Sequence, residues 1–74
     1  MTEILYTVSE VASLIKCNVS YVHKLRKAGL LKFMKLGSYK CRAAELDRFL
    51  TDAEGKDLTD LDNIKNLKEQ DYEN

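Results

Sequence analysis

A chain of 74 residues, 45% hydrophobic and 32% charged, has the length and composition of one small globular domain. At this size folding buries only roughly 60% of the unfolded surface, which excludes a deep substrate cleft, and no stretch reaches the ~18 consecutive apolar residues of a membrane helix. The net charge of zero conceals a division: residues 1–50 carry nine Lys/Arg and four acids, whereas residues 51–74 carry three Lys and eight acids.

Within residues 16–42 there are eight basic side chains and no acidic one. That pattern points to a nucleic-acid-binding half, residues 1–50, followed by an acidic and largely flexible tail, residues 51–74. Met1-Thr2-Glu3 has neither the basic nor the apolar segment of a secretory leader, so a cytoplasmic location is the default expectation.

In chain order, the first expected helix covers 7–16. Thr7-Val8-Ser9-Glu10 has the capping-box spacing, in which the Thr7 hydroxyl accepts from the Glu10 amide and the Glu10 carboxylate reaches back. Val8, Val11, Ala12 and Ile15 recur at helical spacing and form its apolar face, and Leu5 and Tyr6 are expected to staple it to the core. Lys16-Cys17-Asn18 breaks the pattern. Asn18 then suits the N-cap of a second helix over 19–28, with Val22 and Leu25 inward and Val19, Ser20, His23, Lys24 and Lys27 on the other side. Gly29 ends it in a left-handed conformation. Two helices across so short a turn define a helix-turn-helix.

From Leu31 the period changes to two. Leu31–Leu36, Gly37-Ser38 and Tyr39–Arg42 read as a β-hairpin with a two-residue type II′ turn. That register pairs Leu36 with Tyr39 and Met34 with Cys41 on the core face. On the outer face it pairs Lys35 with Lys40 and Phe33 with Arg42, a like-charge pairing that asks for an anion. Residues 43–50 form a third helix with Leu46, Phe49 and Leu50 buried. Leu58, Leu61, Ile64 and Leu67, three apart, allow a short helix in an otherwise flexible tail. The fold class is thus α+β and mainly helical: a small winged helix-turn-helix with a two-stranded hairpin wing and a short C-terminal helix.

No enzyme constellation is present in the sequence. The single histidine has no nucleophile and orienting acid at usable spacing, and there is no glycine-rich phosphate loop, so neither catalysis nor a cofactor is expected. Cys17 and Cys41 lack the close partners of a zinc framework and read as small core residues. The basic constellation carries the function. A helix entering the major groove needs small or polar residues near its N-terminus, met by Val19 and Ser20, and longer donors one turn later, met by His23, Lys24 and Lys27. Tyr21 can either donate to a phosphate or pack against the first helix. The hairpin closes the core through Met34, Leu36, Tyr39 and Cys41, and compatibly with this its outer face of Lys35, Lys40 and Arg42, with Ser38 in the turn, forms a wing that grips the backbone or enters the minor groove.

The string Tyr6-Thr7-Val8-Ser9-Glu10-Val11-Ala12, Leu14-Ile15, Asn18, Val22, Leu25, Gly29-Leu30, Leu36-Gly37 and Glu45-Leu46-Asp47-Arg48-Phe49-Leu50 resembles the excisionase-type helix-turn-helix family, small winged members of the MerR-like group. The resemblance covers about residues 5–50, with the family's Thr-x-x-Glu-x-Ala opening, capping residue and wing glycine falling on Thr7, Glu10, Ala12, Asn18 and Gly37. Lys16 stands where a glycine is common. The resemblance implies a recognition helix over 19–28 and a DNA-contacting wing over 35–42. It also implies a role in excision of phages or integrative mobile elements, binding double-stranded DNA cooperatively with further copies and assisting an integrase, a tyrosine recombinase. Other members regulate transcription. A protein-interaction module using the basic face is the rival from another class, and a membrane is not an expected partner.

Overall fold

The computed structural model describes residues 4–67. Eight elements follow in order: β1 (Leu5–Thr7), α1 (Val8–Leu14), α2 (Val19–Lys27), β2 (Met34–Leu36), β3 (Ser38–Arg42), α3 (Ala43–Ala53), β4 (Lys56–Asp57) and β5 (Lys65–Asn66). Three helices surround an antiparallel sheet of order β1-β3-β2, and β4 and β5 form a separate ladder.

The helix boundaries follow local chemistry. At α1 the capping box is complete: the Glu10 amide donates to Thr7 Oγ1 at 3.1 Å and the Thr7 amide donates to Glu10 Oε1 at 2.8 Å. Asn18 caps α2, its Oδ1 accepting from the Tyr21 amide at 2.8 Å. Both helices end in Schellman motifs. After α2, Gly29 is left-handed at φ 78, with Leu30 N–H donating to Leu25 O and Gly29 N–H to Arg26 O. After α1 the same role falls to Lys16, at φ 60, with Cys17 N–H donating to Ala12 O and Lys16 N–H to Ser13 O. This is the physical reason a glycine suits position 16: a side chain in the left-handed region is strained and glycine is not.

Val11, Ala12, Val22, Leu25, Leu31, Cys41, Leu46 and Phe49 form the core. The apolar faces expected for α1 and α2 are therefore the buried ones. Outside the hairpin, two expected core residues are not: Leu50 is 43% exposed, and Cys17 lies exposed in the turn between the helices while Cys41 is buried. Burial raises the Cys41 thiol pKa to about 11, with Glu45 adding to the effect.

The sheet departs from expectation in two ways. First, residues 5–7 form a strand, β1, pairing Leu5 with Arg42, Tyr6 with Cys41 and Thr7 with Lys40. Second, the hairpin is slipped by one residue: Leu36 pairs with Ser38, Lys35 with Tyr39 and Met34 with Lys40, leaving Gly37 alone at the tip with φ 80. Lys35 therefore does not face Lys40. A one-residue slip moves a strand's side chains to the opposite face, so Met34 and Leu36 become exposed. Tyr39 and Cys41 keep the inner face because β3 is the central strand and its register is also held by β1. The edge strand β2 adapts.

Residues 51–67 have a defined path where their composition suggested little regular structure. α3 continues to Ala53. In place of a short helix, Lys56 pairs with Asn66 and Asp57 with Lys65. Residues 68–74 of the acidic tail lie outside the described residues.

Candidate nucleic-acid interface

α2 is amphipathic, and its composition decides which way each side chain turns. Val22 and Leu25 are fully buried. Ser20, Lys24 and Lys27 are exposed, and Val19, in the first turn, is 41% exposed. These positions fall on the solvent side of a 3.6-residue repeat. Between it and the core lies a rim of half-buried side chains: Tyr21 on one flank, His23 and Arg26 on the other.

The His23 flank joins α2 to the hairpin. The Arg26 guanidinium carbon stacks 4.1 Å from the centre of the Tyr39 ring, and Lys35 Nζ lies 4.7 Å from the same ring. His23 meets Tyr39 edge-on at 6.3 Å between ring centres, and its Nδ1 accepts from Arg26 Nε at 3.3 Å. Phe33 completes the cluster, also edge-on to Tyr39. One phenol ring thus holds two cations by their attraction to its π-face and brings His23, Arg26 and Lys35 together. Arg26 has no place in the sequence-derived set, although its offset of three from His23 and seven from Val19 puts all three on one helical flank.

The remaining hairpin candidates divide from this cluster. Ser38, Lys40 and Arg42 alternate with Tyr39 and Cys41 along β3, so they share the outer face of the sheet. Lys40 Nζ donates to Ser38 Oγ at 2.9 Å, and Met34 and Leu36 stand across from Lys40 and Ser38. The expected grouping of Lys35 with Lys40 and Arg42 on one face is thereby corrected: Lys35 belongs to the α2 side.

Tyr21, half-buried against the core, makes a contact that was not expected. Its hydroxyl donates to the carbonyl of Leu58 at 2.6 Å, across 37 residues of chain. Burial, with the nearby Cys17 and Asp57, raises its pKa. The contact brings residues 58–62 alongside α2, where Thr59, Asp60, Leu61 and Asp62 line a shallow groove opposite Lys24, Lys27 and Ala28. Nothing in a local sequence window signals this approach.

A short helix seated across another, with an exposed polar face and a basic hairpin beside it, is the architecture of a DNA-binding helix-turn-helix protein. A family described as a helix-turn-helix domain matches residues 5–53, and this chain belongs to that family. No curated protein and no solved structure matches it. Among the described residues no helix is long and apolar enough to cross a membrane.

Proposed function

We propose that this protein binds double-stranded DNA sequence-specifically by laying α2 into the major groove. Ser20, His23, Lys24 and Lys27 face the bases and flanking phosphates, and Val19 in the first turn allows close approach. Lys35 and Arg26 meet the backbone between helix and wing, while Ser38, Lys40 and Arg42 hold phosphate or enter the minor groove. Its biological role is that of an excisionase, a recombination directionality factor of a phage or integrative element. A single module covers only about 600–1,000 Å² of DNA surface, so neighbouring copies and an integrase supply the rest of the binding energy. The single observation that carries the reading is the Tyr39 cluster, which ties the exposed face of α2 to a basic hairpin.

The test is a duplex titration over a range of salt. Each phosphate contact contributes a slope of about −0.9 to log affinity against log salt, so four contacts give about −3.6 and the double variant Lys24→Ala, Lys40→Ala gives about −1.8. If affinity and slope both stay at wild-type values, the assigned surface is wrong. Integrase recruitment and bending on an attachment-site fragment support the excision role; promoter binding without either replaces it with the MerR-like transcription-regulator reading.

A further inference from the structure

The acidic half of the chain runs alongside the flank of α2 that carries Tyr21, Lys24 and Lys27. After α3 the chain turns through Gly55, at φ 79. The β4–β5 ladder then closes a loop, reinforced by Leu67 N–H donating to Gly55 O at 2.7 Å. The loop shapes itself: the Thr59 amide donates to Asp57 Oδ1 at 2.9 Å and the Asp62 amide to Asp60 Oδ1 at 3.1 Å. It is held to the body by the Tyr21–Leu58 hydrogen bond and by Leu61, half-buried against the core. Asp60 and Asp62 then share a groove with Lys24 and Lys27. Among the described residues the ion pairs are those of Arg48 with Glu45 and Asp52, so these aspartates act on the lysines through their field, and the ammonium groups keep their donors.

Resting on the DNA-binding reading of α2, we infer that residues 57–62 are an internal strap that competes with DNA phosphate for Lys24 and Lys27. The strap occupies the flank along which a phosphate backbone runs when α2 is seated in a groove. Its carboxylates line the groove that Lys24 and Lys27 share, so they repel a phosphate brought to those lysines, the more so at low salt. A duplex therefore seats fully only when the strap leaves. The strap is built to leave: a two-residue ladder, one side-chain hydrogen bond to the body and two half-buried leucines, Leu58 and Leu61, make it a low-stability unit on a more stable body. The opposite charges of the two halves thus set a threshold, favouring sites that offer enough phosphate contacts to displace it.

The experiment uses the full chain and two variants. Asp60→Asn with Asp62→Asn removes the charge at nearly constant shape, and Tyr21→Phe removes the anchor at constant charge. Affinities for a labelled duplex and for a heparin fragment, a polyanion without bases, are measured by fluorescence anisotropy between 50 and 300 mM salt, with circular dichroism to verify folding. Because exposed charge pairs are individually weak, the asparagine variant is expected to bind duplex about three- to tenfold more tightly at low salt, the gain shrinking as salt rises. Tyr21→Phe is expected to tighten binding with little salt dependence, and exchange of the Thr59 and Asp62 amides is expected to quicken when duplex is added. Unchanged affinity in both variants overturns the strap while leaving DNA binding intact. If the variants gain affinity for heparin but no chain binds duplex, the strap stands and the DNA-binding reading fails; if neither probe is bound by any chain, both fail.

Discussion

Glu45 is a sharp place to test the account of the fold. Its Oε2 accepts from the Lys32 amide at 3.0 Å, and its carboxylate takes Arg48 Nε at 2.9 Å and Nη2 at 2.7 Å. Arg48 Nη2 also donates to Leu30 O at 2.9 Å. The pair therefore clamps α3 to the segment joining α2 to the hairpin. The Arg48 hydrogen bonds foremost, with the Lys32 amide, bring the Glu45 pKa down from 4.5 to about 2. A depressed carboxylate pKa means that ionisation favours the folded state, so the stabilisation is complete above pH 4.5 and is lost as pH falls towards 2. At about 1.4 kcal/mol for each pH unit the upper bound is about 3 kcal/mol. The Glu45 side chain is 17% exposed but that of Arg48 is 45% exposed, and solvent screening brings the contribution to about 1–2 kcal/mol. Glu45→Gln keeps an acceptor for Lys32 and removes the charge. Urea unfolding should show that loss at pH 7, with the gap between variant and wild type narrowing to about half or less by pH 2. A variant as stable as wild type at pH 7, or a gap that does not move with pH, refutes the clamp.

Two further stability predictions follow from the backbone and the core. Lys16→Gly relieves the left-handed strain at φ 60 and should raise stability by about 0.5–1 kcal/mol, net of glycine's entropic cost, seen as a Tm increase of a few degrees. Leu25→Ala removes a fully buried side chain and should cost about 2–5 kcal/mol in denaturant titration; a loss under about 1 kcal/mol would mean that Leu25 does not sit in the core as described.

The legible parts of this molecule are those with local causes. Thr7 with Glu10, Asn18, and Gly29 each act within one helical turn, and the apolar periods of α1 and α2 name Val11, Ala12, Val22 and Leu25 directly. What local reasoning misses is decided elsewhere in the chain. β1 is three residues long and exists because residues 40–42 offer a partner. The wing register turns on which face of β3 is buried, and a positive φ at Gly37 suits either register. Met34 and Leu36 look like core residues by type, yet on an edge strand they yield to Tyr39 and Cys41. Arg26 reads as one more surface cation until Tyr39 is placed against it. The approach of Leu58 to Tyr21 is a long-range contact with no periodic signature.

The slipped hairpin limits how this wing can change length. Tyr39 reaches Arg26 and Lys35 only because a lone Gly37 separates residues paired two apart. With the turn kept at one residue, adding one residue to one arm would shift the register by one step, turning Tyr39 or Lys35 away from the helix and breaking the bridge between reading elements. Adding two preserves parity. Longer or shorter fingers on this scaffold should therefore differ from it by even numbers of residues, so that reach can be altered without loosening the angle at which the finger is held.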